Sequence, residues 1–212
     1  MIRVTLFALV AVALFARPAV PGDQIPPAGS PQAADTEPLG VGGQLPADLR
    51  VTPLEEGAKD VALADFAEAG KPLIAIFWSS RCPVCKRYGS VLKALAKDYE
   101  GRAKFVLLFP NATESAAGAK AWLDGESAGV PGALDSRRDA ATRLAAVVTP
   151  TAMVFDGSGV LRYRGPLDDD RRRRQRDTID HLKIAVEAVL AGTPIENPEP
   201  RAFGSSVRTT KR

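Results

Sequence analysis

Cys82 and Cys85 are the only cysteines in the 212-residue chain, and two residues separate them. A thiolate, rather than a thiol, attacks a disulfide, and the free N–H groups at a helix N-terminus stabilise that negative sulfur. An apolar stretch precedes the pair, and a helical pattern of apolar residues follows it. Arg81, Lys86 and Arg87 add positive charge nearby. We therefore predict that Cys82 attacks a disulfide and that Cys85 resolves the mixed disulfide.

A pair of cysteines at this spacing also occurs as an inert structural disulfide or as half of a metal site. Its position between an apolar strand and an amphipathic helix favours redox chemistry over both alternatives. A zinc site needs three or four N or S ligands, whereas this chain offers two cysteines and a single distant histidine, His181. We interpret His181 as a solvated or helix-capping residue, and we expect neither a metal nor a bound cofactor.

Alternating apolar strands and amphipathic helices must position the pair. Pro72–Phe77 is a continuous apolar run with the length and β-branched content of a buried parallel strand. Apolar residues then recur at helical spacing from Val84 to Tyr99. Alternation followed by a β-hairpin indicates a mixed sheet with helices on both faces, which is an α/β fold. We predict strands over residues 72–77, 104–109, 151–155 and 160–164, and helices over residues 83–98, 111–123, 136–146 and 177–190.

Short sequence patterns predict two helix starts and one edge element. Asn111 with Glu114 resembles a capping pair, and Ser136 with Asp139 marks the start of the next helix. The segment Val61–Phe66 predicts a short edge strand or a helical turn.

The two ends of the chain differ in composition from its middle. Residues 1–19 include the apolar run Val4–Ala16, which is shorter than the roughly 20 residues of a membrane span and fits a signal peptide. A retained N-terminal membrane anchor is the alternative. Residues 20–47 are rich in proline and predict a flexible linker. We expect one folded domain over residues 48–195 and a flexible basic tail over residues 196–212.

Charge and export signals narrow the expected location and partners. The formal net charge is +3, with basic residues nearly balanced by acidic ones, so we expect no nucleic-acid partner. Export to the periplasm or the cell exterior, with or without a membrane anchor, would bring the cysteines to a compartment where disulfides persist. We expect a monomer.

Three parts of the sequence resemble the thioredoxin superfamily. They are the segment Phe77–Cys85 around the cysteine pair, the dipeptide Thr149-Pro150 ahead of a strand, and the hairpin Met153–Arg164. Within the superfamily, the resemblance is to exported TlpA-like and redoxin thiol:disulfide oxidoreductases, and it covers about residues 44–192. It implies a thioredoxin-like three-layer α/β/α fold with a mixed central sheet and a cis-proline before a core strand.

The same resemblance implies roles for individual residues. Cys82 would attack, Cys85 would resolve, and Pro150 would be cis and pack beside the two sulfurs. The backbone of Thr149 would pair with a substrate peptide as an added strand. The implied partners are protein thiols and disulfides and an upstream redox protein, with the direction of electron flow left open. The predicted substrate contacts are Trp78, Pro83, Thr149 and Pro150.

Some positions depart from the family pattern. Ile76 and Tyr88 stand where relatives carry an acidic residue that deprotonates the buried thiol. A redoxin subgroup often has a cysteine after the glycine that matches Gly204, but Ser205 stands here, so a third redox cysteine is absent.

Two other function classes are alternatives to disulfide exchange. A peroxidase of the peroxiredoxin kind needs a proline and a threonine ahead of its cysteine, where Ala75 and Ser79 stand. A copper-binding protein of the Sco kind fits soft thiolate ligands, but it has three residues between its cysteines and a distal histidine. This chain has two residues between its cysteines, and His181 lies in a predicted helix.

Overall fold

The computed structural model describes residues 37–126, 129–169 and 180–207. The strands are β1 (Arg50–Pro53), β2 (Val61–Ala62), β3 (Leu73–Phe77), β4 (Lys104–Phe109), β5 (Gly132–Leu134), β6 (Val148–Thr149), β7 (Thr151–Phe155), β8 (Leu161–Gly165) and β9 (Ser205–Ser206). The helices are α1 (Pro83–Asp98), α2 (Ala116–Glu126), α3 (Asp139–Arg143) and α4 (His181–Ala191), and a 3-10 helix spans Leu63–Phe66.

A seven-stranded mixed sheet forms the centre of the domain, with strand order β2-β1-β5-β4-β3-β7-β8. Strand β3 pairs in parallel with β4 and antiparallel with β7. The predicted α/β fold with a mixed central sheet is confirmed, as are the predicted strands around β3, β4, β7 and β8. Strands β1 and β5, which lie between β2 and β4 in the sheet, are short, and the sequence patterns did not predict them.

Side chains on the two faces of the sheet form two separate apolar cores. Successive residues of a strand point to opposite faces, so Ile74 and Ile76 of β3 join one core while Ala75 and Phe77 join the other. Helices α1, α2 and α4 contribute buried residues to the first core, and α3 contributes to the second. Helices on both faces complete the predicted three-layer arrangement.

Helix α1 has the bounds that the sequence predicts. Pro83 occupies its first turn, where a missing N–H costs no hydrogen bond. Cys85, Tyr88, Leu92 and Leu95 recur at helical spacing and are buried, so one face of α1 packs against the sheet. The end of β3 and the start of α1 thereby fix the position of the cysteine pair.

The predicted caps of the middle helices are wrong. The carboxylate of Glu114 accepts hydrogen bonds from the loop before Cys82 rather than pairing with Asn111, and α2 begins at Ala116. For α3, the buried carboxylate of Asp135 accepts the N–H groups of Ala140 and Ala141, so Asp135 takes the capping role predicted for Ser136. The local sequence pattern did not predict the donors that bind the carboxylates of Glu114 and Asp135.

The folded domain extends beyond its predicted N-terminal limit of residue 48. Leu39 and Val41 pack against the second core, Leu45 is buried within it, and Gln44 forms a β-bridge with Val160. Residues 37–47 are therefore part of the domain rather than linker, because their apolar side chains are used in packing. The predicted signal or anchor, 1–19, and the rest of the linker lie outside the described residues.

The predicted flexible tail, 196–212, is also corrected over its described part. The carbonyl of Pro198 accepts the amide of Arg164 over 2.9 Å, and Glu199 forms an ion pair with the Arg164 guanidinium. Further along, β9 pairs antiparallel with β6. These contacts hold residues 198–207 against the domain, and residues 208–212 lie outside the described part. No helix within the described ranges is both long enough and apolar enough to span a membrane.

Candidate active site

Cys82 lies at the junction between strand β3 and helix α1. It is the N-cap of α1, with extended backbone dihedrals, and its amide donates to the carbonyl of Ser79 over 3.1 Å. Its side chain is 1% exposed, and Cys85, one helical turn later, is fully buried. Both cysteines are free thiols in the structure.

The sulfur of Cys82 makes three hydrogen bonds. As a thiol it donates to the backbone carbonyl of Thr149 over 3.1 Å. It accepts the backbone N–H of Cys85 over 3.4 Å and the hydroxyl of Ser205 over 3.0 Å. The Cys85 contact is the N-terminal helix interaction that the sequence predicted. The Ser205 contact joins residues 123 positions apart.

These contacts have opposite effects on the pKa of Cys82. The carbonyl of Thr149 favours the protonated thiol, whereas the donors favour the thiolate. Hydrogen bonding from Cys85, followed by hydrogen bonding from Ser205, outweighs the effect of burial and lowers the pKa of Cys82 to about 4. Burial, reinforced by the neighbouring Cys82 sulfur, raises the pKa of Cys85. The pair therefore combines an acidic thiol with one that retains its proton.

The basic side chains near the pair lower the pKa of Cys82 less than their closeness in the sequence suggests. Arg81, Lys86 and Arg87 are exposed to solvent, where water and salt screen their charge. The causes that chiefly lower the Cys82 pKa are hydrogen bonds from Cys85 and Ser205. Short-range donors, rather than nearby cations, set the acidity of this sulfur.

The peptide bond between Thr149 and Pro150 is cis, which confirms the expectation from the thioredoxin resemblance. Pro150 is buried, and Thr149 is fully buried with its carbonyl against the Cys82 sulfur. This arrangement brings the edge of β6 to the active-site cysteine.

Strand β9 covers the same edge. Ser205 lies opposite Thr149 in the β6–β9 register, and its hydroxyl reaches the Cys82 sulfur. The preceding residue, Gly204, is so close that a Cβ added there would lie 2.0 Å from the Thr149 carbonyl oxygen. Only a residue without a side chain fits at position 204, and the covered sulfur has little contact with solvent.

Glu114 fixes the loop that leads to Cys82. Its carboxylate accepts the backbone N–H of Ser80 over 2.6 Å and the hydroxyl of Ser79 over 3.3 Å. The hydroxyl of Ser79 in turn accepts the N–H of Arg81 over 3.2 Å. Because Glu114 lies just before α2, this network connects the loop before α1 to the segment that precedes α2.

The other two predicted substrate contacts, Pro83 and Trp78, differ in their exposure to solvent. Pro83 is exposed next to Cys82, where a substrate contact is feasible. Trp78 is fully buried and packs on Trp122, with ring centroids 5.1 Å apart. The ring of Trp78 therefore has no exposed surface in this structure, and its predicted substrate contact stays a prediction.

Tyr88, which stands where relatives carry an acidic residue, contacts a carboxylate from another element. Its hydroxyl donates to Asp168, and both side chains are buried. Asp168 was not predictable as the partner of Tyr88 from local sequence, because 80 residues separate the two. Among the described residues, no cluster of three or more histidine, cysteine or acidic side chains could hold a metal ion.

A protein-family model described as the AhpC/TSA family matches residues 41–164. The chain belongs to the AhpC/TSA family. Among curated proteins, none matches the chain. Membership of this family and the thioredoxin-like fold agree with the redox class of function predicted from the cysteine pair.

Solved structures with the same fold include three informative neighbours. An uncharacterized conserved protein from Geobacillus kaustophilus has a TM-score of 0.72 and 24% identity, covering 82% of this chain and 94% of that chain. A hypothetical protein from Sinorhizobium meliloti 1021 has a TM-score of 0.71 and 25% identity, covering 82% and 97%. A Chlorobium tepidum protein named as the thiol:disulfide interchange protein DsbE has a TM-score of 0.55 and 19% identity, covering 72% and 99%.

Proposed function

We propose that the chain is a thiol:disulfide oxidoreductase of the cell envelope, which exchanges disulfides with proteins through its Cys-Pro-Val-Cys pair. The observation that carries this proposal is the Cys82 sulfur at the N-terminus of α1, hydrogen-bonded to donors from Cys85 and Ser205. Such a sulfur is a thiolate at neutral pH and can attack a disulfide. Burial holds Cys85, one turn away, as a protonated thiol, so Cys85 must lose its proton before it attacks the mixed disulfide.

The proposed exchange proceeds in two balanced steps. The Cys82 thiolate attacks one sulfur of a substrate disulfide, forms a mixed disulfide, and releases the other substrate sulfur as a thiolate. The Cys85 thiol then loses its proton and attacks the Cys82 sulfur, which releases the second substrate sulfur. Two electrons pass from the pair to the substrate, and the reverse sequence oxidises a substrate dithiol.

Residues near the pair have proposed binding roles. Thr149 and Pro150 lie beside the Cys82 sulfur at the edge of β6 that β9 covers, and an extended peptide can pair with this edge in place of β9. Pro83, the residue after Cys82, is exposed and is the other proposed substrate contact. We assign protein thiols and disulfides as substrates, and an upstream dithiol or disulfide protein as the partner that restores the pair.

Export of the protein is part of the proposal. The apolar run Val4–Ala16, which follows Arg3, supports a signal peptide or N-terminal anchor over residues 1–19. In an oxidising compartment the pair can cycle between dithiol and disulfide. We propose that the exported protein acts as a monomer.

Insulin reduction with a small dithiol as electron source tests the proposed function. Cys82→Ser removes the attacking sulfur, so we expect the rate to fall on the order of 10³-fold. Cys85→Ser keeps the attack but removes the resolving step, so a mixed disulfide with insulin should accumulate and be visible by mass spectrometry. Turnover by Cys82→Ser equal to that of the unmodified protein would sink the proposal.

Burial of the active sulfur supports a second candidate, a peroxide reductase. Cys82 is 1% exposed, so a small oxidant reaches it more readily than a protein does. In that reaction the thiolate would attack a peroxide oxygen and become a sulfenic acid, which Cys85 would convert to the disulfide. Peroxide consumption with a dithiol reductant, lost in Cys82→Ser and faster than insulin reduction, would favour this candidate.

A further inference from the structure

Strand β9 lies on the edge that a substrate strand would use. The proposed function requires an extended peptide to pair with Thr149 beside Cys82, yet β9 already pairs with β6 there. Ser205 lies directly opposite Thr149, and its hydroxyl is 3.0 Å from the Cys82 sulfur. A substrate cysteine in the place of Ser205 would therefore bring its sulfur next to the Cys82 sulfur, as an attack requires.

We propose that β9 occupies the binding site of a substrate strand, and that Ser205 takes the position of the substrate's cysteine. A protein disulfide reaches Cys82 only after β9 leaves the edge of β6. This inference rests on the proposed function and adds to it the binding mode of the substrate and a device that limits access.

The contacts of β9 suit a strand that detaches without unfolding the domain. Residues 198 and 199 are held by Arg164, upstream of β9. Beyond them, β9 pairs with β6 over two residues, Ser205 forms hydrogen bonds with Thr149 and Cys82, and the Val207 amide donates to Val147 over 3.0 Å. The Val207 side chain packs against the second core but is only partly buried. The anchored segment keeps a released β9 near its site, so it competes with substrate as a tethered ligand.

The close approach at Gly204 adds a specificity rule for the substrate. A Cβ there would lie 2.0 Å from the Thr149 carbonyl oxygen and 2.7 Å from its carbon. A substrate peptide that binds in the register of β9 therefore needs glycine immediately before its cysteine. Peptides with a larger residue at that position would have to bind in a more distant register.

Gly204→Ala is the variant that tests the proposal, because it expels β9 without changing Cys82, Cys85 or Ser205. The matched control is Gly125→Ala, since a Cβ at that position on α2 has no neighbour within 4 Å. Val207→Pro is a second, independent variant: it removes the amide that bonds to Val147. We expect both β9 variants to reduce insulin about tenfold faster than the unmodified protein, as for a binding-competent state populated at about one tenth.

The outcomes separate this inference from the proposed function. Hydrogen exchange at the Val207 amide should become fast in Gly204→Ala and stay slow in Gly125→Ala, which reports release of β9 without any activity. Release of β9 with an unchanged rate of insulin reduction overturns the inference and leaves the function intact. Absence of insulin reduction by every protein, including the unmodified one, overturns both.

A synthetic peptide tests directly whether a cysteine in the position of Ser205 reacts with Cys82. The peptide of residues 200–207 carrying Ser205→Cys, prepared as its disulfide-linked dimer, should oxidise the dithiol of the Gly204→Ala protein and release two peptide thiols. The same peptide with Gly204→Ala should react at least about tenfold more slowly, because its added Cβ meets the Thr149 carbonyl. Equal rates for the two peptides would contradict the proposed register.

Discussion

Two helix N-termini in this domain receive a buried acidic side chain, and the pKa values of those side chains move in opposite directions. Cys82 caps α1 and Asp135 caps α3, and each is at most 2% exposed. The pKa of Cys82 falls to about 4, whereas burial raises the pKa of Asp135 to about 6 although three backbone N–H groups partly offset it.

The difference lies in the donors that face each acid. Cys82 is approached by side-chain donors from Cys85 and Ser205 as well as by backbone amides. Asp135 is approached mainly by backbone amides at the start of a helix of five residues, and the nearby Asp139 carboxylate opposes its ionisation. A helix N-terminus alone therefore does not make a buried acid strong. Burial is the largest effect on the pKa of Asp135, whereas side-chain donors from Cys85, one turn away, and from the distant Ser205 outweigh burial at Cys82.

Of the changes that test this comparison, we expect removal of the Asp135 cap of α3 to have the largest effect. Asp135→Ala leaves the buried amides of Ala140 and Ala141 without their acceptor, so we expect the free energy of unfolding to fall by about 2 kcal/mol. Denaturant unfolding measures this. Asp135→Asn keeps an acceptor oxygen and should lose less; equal losses in both variants would mean that charge, rather than hydrogen bonding, is what Asp135 supplies.

A smaller effect concerns the acidity of the active sulfur. The ultraviolet absorbance of the Cys82 thiolate should appear as pH rises through about 4, since the thiol loses its proton above its pKa. Ser205→Ala removes one donor, so the midpoint should rise by about one pH unit, which is a tenfold weaker preference for the thiolate. An unchanged midpoint would show that the Ser205 hydroxyl does not stabilise the thiolate. Circular dichroism at each pH serves as the control for folding.

The smallest effect comes from a third cap, at the start of α4. The Asp180 carboxylate accepts the amide of Lys183 over 3.0 Å, but water can replace it at this accessible site. We expect Asp180→Ala to lower the free energy of unfolding by less than about 1 kcal/mol. A loss as large as that of Asp135→Ala would contradict the view that burial makes the α3 cap the more costly one to remove.

Local sequence patterns predicted the part of the site that local structure builds. The bounds of α1 follow from Pro83 and from apolar residues at helical spacing, and β3 follows from one continuous apolar run. The N-terminal position of Cys82 and the buried position of Cys85 need no long-range information. The cis bond before Pro150 required the family resemblance, because a proline ahead of a strand is usually trans.

The parts that sequence patterns missed depend on distant partners. Two consecutive serines in β9 carry no strand signal, and their role appears only when β6 and Cys82 are beside them. Glu114 matches a local capping pattern, but its carboxylate bonds to Ser80, 34 residues earlier. Side chains recruited across the fold complete this site, and neither periodicity nor spacing encodes them.

The β9 contact places the protection of Cys82 in the last described strand of the chain. Proteolytic removal of residues 205–207 would uncover the Cys82 sulfur and leave β3, α1 and Pro150 unchanged in sequence. The trimmed protein would then react faster with thiols and disulfides of any kind, because three residues outside the central sheet limit access to the sulfur.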